Sequence, residues 1–284
     1  MTLREITRNA ITRLTPLYGS GEAQWLMRLI WYHIKGYSQT DTILKAADEV
    51  SDFIAWKIDA VIDRLMNHEP IQYIFGTTTF YGLTIGVNPS VLIPRPETEQ
   101  LVETIINQAN RKADLRVLDI CTGSGCIALA LARNLLFPTV TATDISPEAL
   151  ATARENARAL RVKVDFHESD ILSSTPLPSD SFDIIVSNPP YIAEEERKDM
   201  SSNVLDYEPH LALFVPDNDP LLFYRAIAAK ATSALTAGGK LYFEINPRFH
   251  SQLVKLLEQD GFSRITVIRD SFGAQRFITA VNPR

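Results

Sequence analysis

The chain has 284 residues, 45% of them hydrophobic and 22% charged, a soluble globular composition with room for one large domain and one small one. Its formal charge of −6 argues against a protein that wraps long duplex nucleic acid, which needs Lys and Arg in excess. No apolar run approaches the roughly 20 residues that cross a bilayer.

The opening Met1-Thr2-Leu3-Arg4-Glu5 lacks the charged-then-apolar pattern of a signal peptide, so the expected compartment is the cytoplasm. Residues 2–74 read as helical. Leu3, Ile6, Ala10, Ile11 and Leu14 form one apolar stripe, and Ala23, Leu26, Met27, Ile30 and Trp31 a second, with a turn at Tyr18-Gly19-Ser20-Gly21 between them. Asp41 suits the cap of a short helix, and Phe53 to Leu65 carries another stripe. Trp25, Trp31 and Trp56 all fall in this segment; they either fill a small bundle core or line a partner-binding face.

The pattern changes at Ile71. Phe75 to Ile85 is rich in β-branched and aromatic residues with Gly punctuation and predicts a hairpin. Leu92-Ile93-Pro94-Arg95-Pro96-Glu97-Thr98-Glu99 then places an arginine between two prolines ahead of a helix opened by Glu97 or Thr98. Arg95 and Glu97 serve there either as capping and surface charges or as site residues on a stiff loop.

From residue 114 strand and helix alternate. Strands are predicted at 116–120, 139–143, 162–166, 182–187, 240–245, 264–269 and 275–281, the last two antiparallel. Ser146-Pro147-Glu148 is a helix start, Gly238-Gly239 should stop the helix that begins at Leu221, and 192–219 reads as a polar, irregular insertion. The fold class is α/β: a seven-stranded, doubly wound, Rossmann-like sheet with a small N-terminal helical domain and a linking β-hairpin.

Chemistry concentrates at the strand ends. Asp119-x-x-x-Gly123-x-Gly125 follows the first strand and opens a helix, where glycines let backbone approach a ligand; a tight packing turn is the plainer alternative. It is not the dinucleotide fingerprint, since Ala128 stands where a third Gly would pack the helix. Asp144 ends the second strand and suits either a ribose diol or the nearby helix start; Asp170, after the third, suits an adenine amino group. Ser187-Asn188-Pro189-Pro190-Tyr191 follows the fourth strand. Two prolines remove donors, leaving free carbonyls, one carboxamide and an aromatic face, a set that suits a planar group bearing an NH2. The only cysteines, Cys121 and Cys126, are too few for a structural zinc site and read as packing residues, and no metal site is expected. No His, Lys or Cys has a partner suggesting nucleophilic chemistry. Methyl transfer from a sulfonium needs none, only an aligned acceptor lone pair.

These residues resemble a seven-stranded S-adenosylmethionine-dependent methyltransferase, and Asn188-Pro189-Pro190-Tyr191 resembles the motif of amino-methyltransferases acting on adenine, guanine or glutamine amide nitrogens. Ile93 to Glu99, together with Tyr207-Glu208-Pro209 and Ala212-Leu213, is similar to segments of the bacterial peptide chain release factor glutamine methyltransferases. That resemblance spans essentially the whole chain, with Cys121 standing where many members carry Gly. It implies a helical recognition domain over 1–74, a hairpin over 75–91 and a methyltransferase domain over 92–284. It further implies cofactor contacts from Cys121, Thr122, Gly123, Ser124, Gly125, Asp144, Asp170, Ile171 and Asn188. Arg95, Glu97, Asn188, Pro189, Pro190 and Tyr191 would meet the substrate, with Asn188, Pro189 and Tyr191 at the chemistry. The implied partner is the Gly-Gly-Gln loop of a release factor, met by a monomer without nucleic acid or membrane. Methylation of another glutamine, or of a nucleobase amine, is the competing reading, and a non-enzymatic nucleotide-holding module a more distant one.

Overall fold

The structure, a computed structural model, describes residues 1–109 and 111–283, which form two compact units: Met1–Gly76 with Ser202–Tyr207, and Thr77–Ser201 with Glu208–Arg284.

The first unit is helical: α1 (Leu3–Lys35), α2 (Gln39–Leu44), α3 (Asp52–Met66) and α4 (Ile71–Phe75), joined by the short helix Ser202–Tyr207. Thr2 and Glu5 start α1 with a reciprocal capping box, and Gly36 in the left-handed region ends it. The turn expected at 18–21 is a break within α1, where Gly19 alone leaves helical geometry at φ +76°. Ser38, rather than Asp41, caps α2. The core packs Leu3, Ile6, Leu14 and Met27 of α1 against Ile58, Ile62 and Leu65 of α3. Of the three tryptophans only Trp31 joins it, donating Nε1–H to Thr7 Oγ1 at 2.9 Å. Trp25 and Trp56 are exposed, so the reading of all three as core residues is corrected.

The second unit begins with the hairpin β1 (Thr77–Phe80) and β2 (Leu83–Gly86), then α5 (Pro96–Ala109), β3 (Arg116–Ile120), α6 (Cys126–Asn134), β4 (Thr139–Asp144), α7 (Pro147–Leu160), β5 (Asp165–Glu168) and β6 (Phe182–Ser187). After β7 (Ile192–Ala193), α8 (Ser202–Tyr207, already placed) and β8 (Phe214–Val215) come α9 (Leu222–Ala234), β9 (Leu235–Glu244), α10 (His250–Gln259), β10 (Ser263–Arg269) and β11 (Gln275–Val281). The main sheet has the order β10-β11-β9-β6-β3-β4-β5, with β11 antiparallel to both its neighbours and the other pairs parallel. The chain builds outward from β3 through β4 to β5, then returns to β6 on the other side of β3. That reversal opens a crevice beyond the carboxyl ends of β3, β4 and β6, where open α/β sheets bind ligands.

Alternation along the strands sorts residues to the two faces. Leu118, Ile120, Ile185, Leu241 and Phe243 pack with Tyr224, Ile227 and Ala231 of α9 and Leu253 and Leu257 of α10. Tyr242 and Glu244 point the other way and meet α5: Tyr242 donates to Gln108 Oε1 at 3.0 Å, and Glu244 accepts from Thr98 at 2.6 Å.

Three local expectations shift. β5 starts at Asp165, not 162, because Arg161 closes α7 in the left-handed conformation and the Val162 N–H is spent on the Ala157 carbonyl. Helix α9 stops at Ala234, ahead of Gly238-Gly239, and both glycines lie within β9. There Asn282 Nδ2 donates to the Leu235 carbonyl at 3.0 Å and Gly238 N–H to the Asn282 carbonyl at 2.9 Å, drawing that stretch toward the end of β11. The insertion after β6 is short helices and the β7–β8 pair rather than irregular chain.

Candidate active site

At the sheet edge lies a cavity of about 420 Å³. Its wall includes Cys121, Thr122, Gly123 and Ser124 after β3, Asp144 at the end of β4, Asp170 and Ile171 after β5, and Asn188 and Pro190 after β6. Arg95 and Thr98 close it from the Pro-flanked segment, and Leu211 and Phe223 add apolar surface. Of the residues singled out in the sequence, Glu97, Gly125, Pro189 and Tyr191 are not part of this wall.

The glycine turn is held from several sides. Thr122 Oγ1–H donates to Asp119 Oδ2 at 2.6 Å, and Ala128 N–H reaches the same oxygen at 3.2 Å, so Asp119 ties the turn to the start of α6. Burial pushes the Asp119 carboxyl up to about 7 against those two hydrogen bonds. Gly125 needs its glycine: at φ +82° an added Cβ would sit 3.1 Å from Ala153 Cβ on α7. From α7, Asn156 Nδ2 donates to the Ser124 carbonyl at 2.9 Å and to the Gly86 carbonyl at 3.0 Å, while its Oδ1 accepts from Gly86 N–H at 2.7 Å. One carboxamide thus fixes the glycine turn and the β1–β2 hairpin together.

Asp144 makes the contact its helix-start reading expects and a second one to the glycine turn. Its Oδ1 accepts from Ser146 N–H at 3.0 Å, the helix-start role, and its Oδ2 accepts from Gly123 N–H at 2.8 Å, aiming the carboxylate along the cavity wall. Burial raises its carboxyl, opposed by those backbone donors. Asp170 is exposed at the cavity rim, with Oδ1 accepting from Leu172 N–H at 2.8 Å. Cys121 takes a left-handed φ of +61° in a position suited to glycine. Burial raises both thiols, that of Cys126 to about 12, which disfavours the thiolate at either position.

Behind the β6 motif lies a polar cluster that sequence reasoning missed. Ser187 Oγ–H donates to the Ile120 carbonyl at 2.6 Å, pinning the motif's start to β3. Asn188 Nδ2 lies 3.5 Å from Thr98 Oγ1. Tyr191 OH donates to Glu244 Oε1 at 3.1 Å, and burial with the nearby Glu244 carboxylate raises the phenol further above its usual value. Asn246 Nδ2 reaches the Tyr191 carbonyl at 3.2 Å and Glu196 Oε1 at 2.8 Å. Glu244 ends β9, one residue short of the strand end expected at 245, so it read as an interior strand residue. Glu208 was missed as a site residue too: it accepts from Ile93 N–H at 3.1 Å and pairs with Arg95.

The wall suits a nucleoside carrying an amino-acid tail. Acidic Asp144 and Asp170 can accept from hydroxyl and amino groups, and Ile145, Ile171 and Leu172 can bracket a flat ring. Gly123 leaves open space where a Cβ would stand. Ser124 Oγ is buried in the wall with no hydrogen-bond partner, a polar atom a ligand can satisfy. Among the described residues, no group of His, Cys, Asp and Glu could hold a metal ion, and no helix is long and apolar enough to cross a membrane.

The Methyltransferase small domain family model matches residues 96–207, and a methyltransferase from Pyrococcus furiosus shares the fold, with a TM-score of 0.52 at 19% identity over 78% of this chain and 98% of that one. The protein is an S-adenosylmethionine-dependent methyltransferase. The PrmC N-terminal domain model matches residues 5–76. A release factor glutamine methyltransferase of Bacteroides thetaiotaomicron is 44% identical over 278 residues, 98% of this chain and 99% of the relative. One of Streptococcus pneumoniae is 42% identical over 264 residues, 92% and 93% of the two chains. The chain belongs to the release factor glutamine methyltransferase family.

Proposed function

We propose that this protein transfers a methyl group from S-adenosylmethionine to the side-chain amide nitrogen of the glutamine in the Gly-Gly-Gln loop of peptide chain release factors. The observation that carries the reading is the placement of Asn188, at the end of β6, in the wall of the same cavity as Gly123, Asp144 and Asp170. The glycine turn and Ser124 would hold the amino-acid part of the cofactor, Asp144 its ribose, and Asp170 with Ile171 its adenine. When bound, the cofactor supplies an electrophilic methyl group on a sulfonium that departs neutral.

The chain's own task is to prepare a poor nucleophile. An amide nitrogen shares its lone pair with its carbonyl. Asn188 Oδ1 and the Pro189 carbonyl would accept its two N–H bonds, fixing the nitrogen and favouring pyramidalisation toward the methyl group. Tyr191, with its hydroxyl anchored on Glu244, would stiffen the turn and offer its ring to the planar amide. Arg95 and Glu97 would flank the opening, and two glycines before the glutamine keep the incoming loop slim. The helical unit over 1–74 would recognise the release factor. The protein would act as a monomer in the cytoplasm, without nucleic acid.

Incubation with a release factor and the cofactor should add one methyl mass to the peptide containing Gly-Gly-Gln. Labelled methyl appearing instead on nucleic acid or on a ribosomal protein would refute this assignment. Asn188→Ala should lose turnover while keeping most of the cofactor affinity.

A further inference from the structure

Glu244, the last residue of β9, is fully buried behind the β6 motif and divides its carboxylate between two hydroxyls. Thr98 Oγ1 donates to Oε2 at 2.6 Å and Tyr191 OH donates to Oε1 at 3.1 Å. A hydroxyl has one proton to give, and a carboxylate has none. Thr98 has therefore spent its donor on Glu244 and can only accept from Asn188, whose Nδ2 lies 3.5 Å away. With the amide reversed, Asn188 Oδ1 would face the lone pairs of Thr98. The proton inventory therefore sets which way the carboxamide points: NH2 toward Thr98, oxygen toward the cavity that both residues line.

We infer that Thr98 and Glu244 are positioning residues that hold the Asn188 carboxamide with its oxygen presented to the substrate. The inference rests on the proposed role of Asn188 as acceptor for the substrate amide. A reversed carboxamide would set its own NH2 against the substrate NH2, which is the repulsion this relay prevents. Thr98 comes from the first turn of α5 and Glu244 from the far side of β6, so three segments must come together before the acceptor is aimed. Tyr191 is tied to the same carboxylate, so the two polar residues of the motif share one anchor.

The test uses Thr98→Val, which keeps shape and loses the hydroxyl, beside Thr98→Ser, which keeps the hydroxyl. Methylation of a release factor, cofactor dissociation constant and melting temperature are measured for each. Thr98→Val should lower kcat roughly ten-fold or more, the scale of one lost hydrogen bond or more, with cofactor affinity unchanged within about two-fold. Thr98→Ser should retain kcat within about three-fold of wild type. A second readout is the Asn188 side-chain NH2 resonance pair in 15N-labelled cofactor-free protein, assigned by its loss in Asn188→Ala, which should shift in Thr98→Val and not in Thr98→Ser. Equal losses in both variants, a parallel fall in cofactor affinity, or unmoved Asn188 resonances would overturn the inference. If wild type fails to methylate the Gly-Gly-Gln peptide, the substrate assignment falls, and the resonances alone still decide whether Thr98 orients Asn188.

Discussion

Glu208 holds Arg95 in an ion pair of 2.5 Å across 113 residues of sequence. The carboxylate side chain is 1% exposed and the guanidinium 33%, and the second carboxylate oxygen accepts from Ile93 N–H. The insertion after β7 is thereby fastened to the Pro-flanked segment, and Arg95 is engaged within the chain before any substrate arrives.

Losing Arg95 should cost at least as much as losing Glu208. Glu208→Ala strands the Ile93 N–H but leaves an Arg95 charge that is already partly solvated, and is expected to destabilise by about 1–3 kcal/mol. Arg95→Ala leaves the buried Glu208 carboxylate with the Ile93 N–H alone and should cost about 3 kcal/mol or more at neutral pH. Urea denaturation of both variants checks the order, and a loss of about 1 kcal/mol or less in Arg95→Ala would show that the buried carboxylate does not depend on Arg95.

Cys121 offers a test of backbone strain. Its φ of +61° suits glycine, and its side chain packs at the margin of the main core. Cys121→Ala loses the sulfur and keeps the strained conformation, whereas Cys121→Gly loses the sulfur and relieves it. The glycine variant should be the more stable of the two by about 1 kcal/mol, the usual cost of a left-handed residue with a Cβ. Thermal melts of the pair decide it, and an alanine variant as stable as the glycine variant would count against strain at this turn.

Much of the candidate site was legible because its signals are local. A glycine turn, an acid or the Asn-Pro-Pro-Tyr run just beyond a strand marks β3, β4, β5 and β6 at Gly123, Asp144, Asp170 and Asn188, and a parallel sheet brings such ends to one edge whatever the loop lengths. What stayed hidden is pairing over distance. Thr98 and Glu244 are 146 residues apart, and nothing in either neighbourhood announces the other. The Arg95–Glu208 pair was hidden for the same reason: both residues lie in segments the resemblance picked out, and nothing in either shows that they meet. Element ends slipped where a cap took a hydrogen bond that a strand would otherwise use, as at Val162.

Asp144 should prove a cofactor residue through its grip on the turn as well as through its charge. Asp144→Ala deprives the Gly123 and Ser146 N–H groups of their acceptors and should weaken S-adenosylmethionine binding by roughly ten-fold or more, with some loss of stability. Asp144→Asn keeps one acceptor oxygen and should fall between alanine and wild type. Calorimetric titration with the cofactor measures both, and unchanged affinity in Asp144→Ala would remove the residue from the binding site.

Asp119 should write itself into the pH dependence of stability. Its carboxyl is raised from 3.8 to about 7, chiefly by burial, with the nearby Asp144 charge adding to the rise. Below pH 4 or so the group is protonated in the folded and unfolded states alike, and its favourable contribution is fully present. Between about 4 and about 7 the unfolded chain has released the proton and the folded chain still holds it, so stability falls as pH rises, by up to about 1.4 kcal/mol per unit. Above about 7 both states are ionised and the loss is complete. Asp119→Asn keeps an acceptor for Thr122 and Ala128 and cannot ionise. The stability difference between variant and wild type should therefore grow in the variant's favour across pH 4 to 8, by on the order of a few kcal/mol, in the cofactor-free protein. Denaturation midpoints at pH 4, 6 and 8 give that difference directly, and because every other titrating group is common to both proteins, parallel curves would mean that Asp119 is already ionised in the folded state well below pH 7.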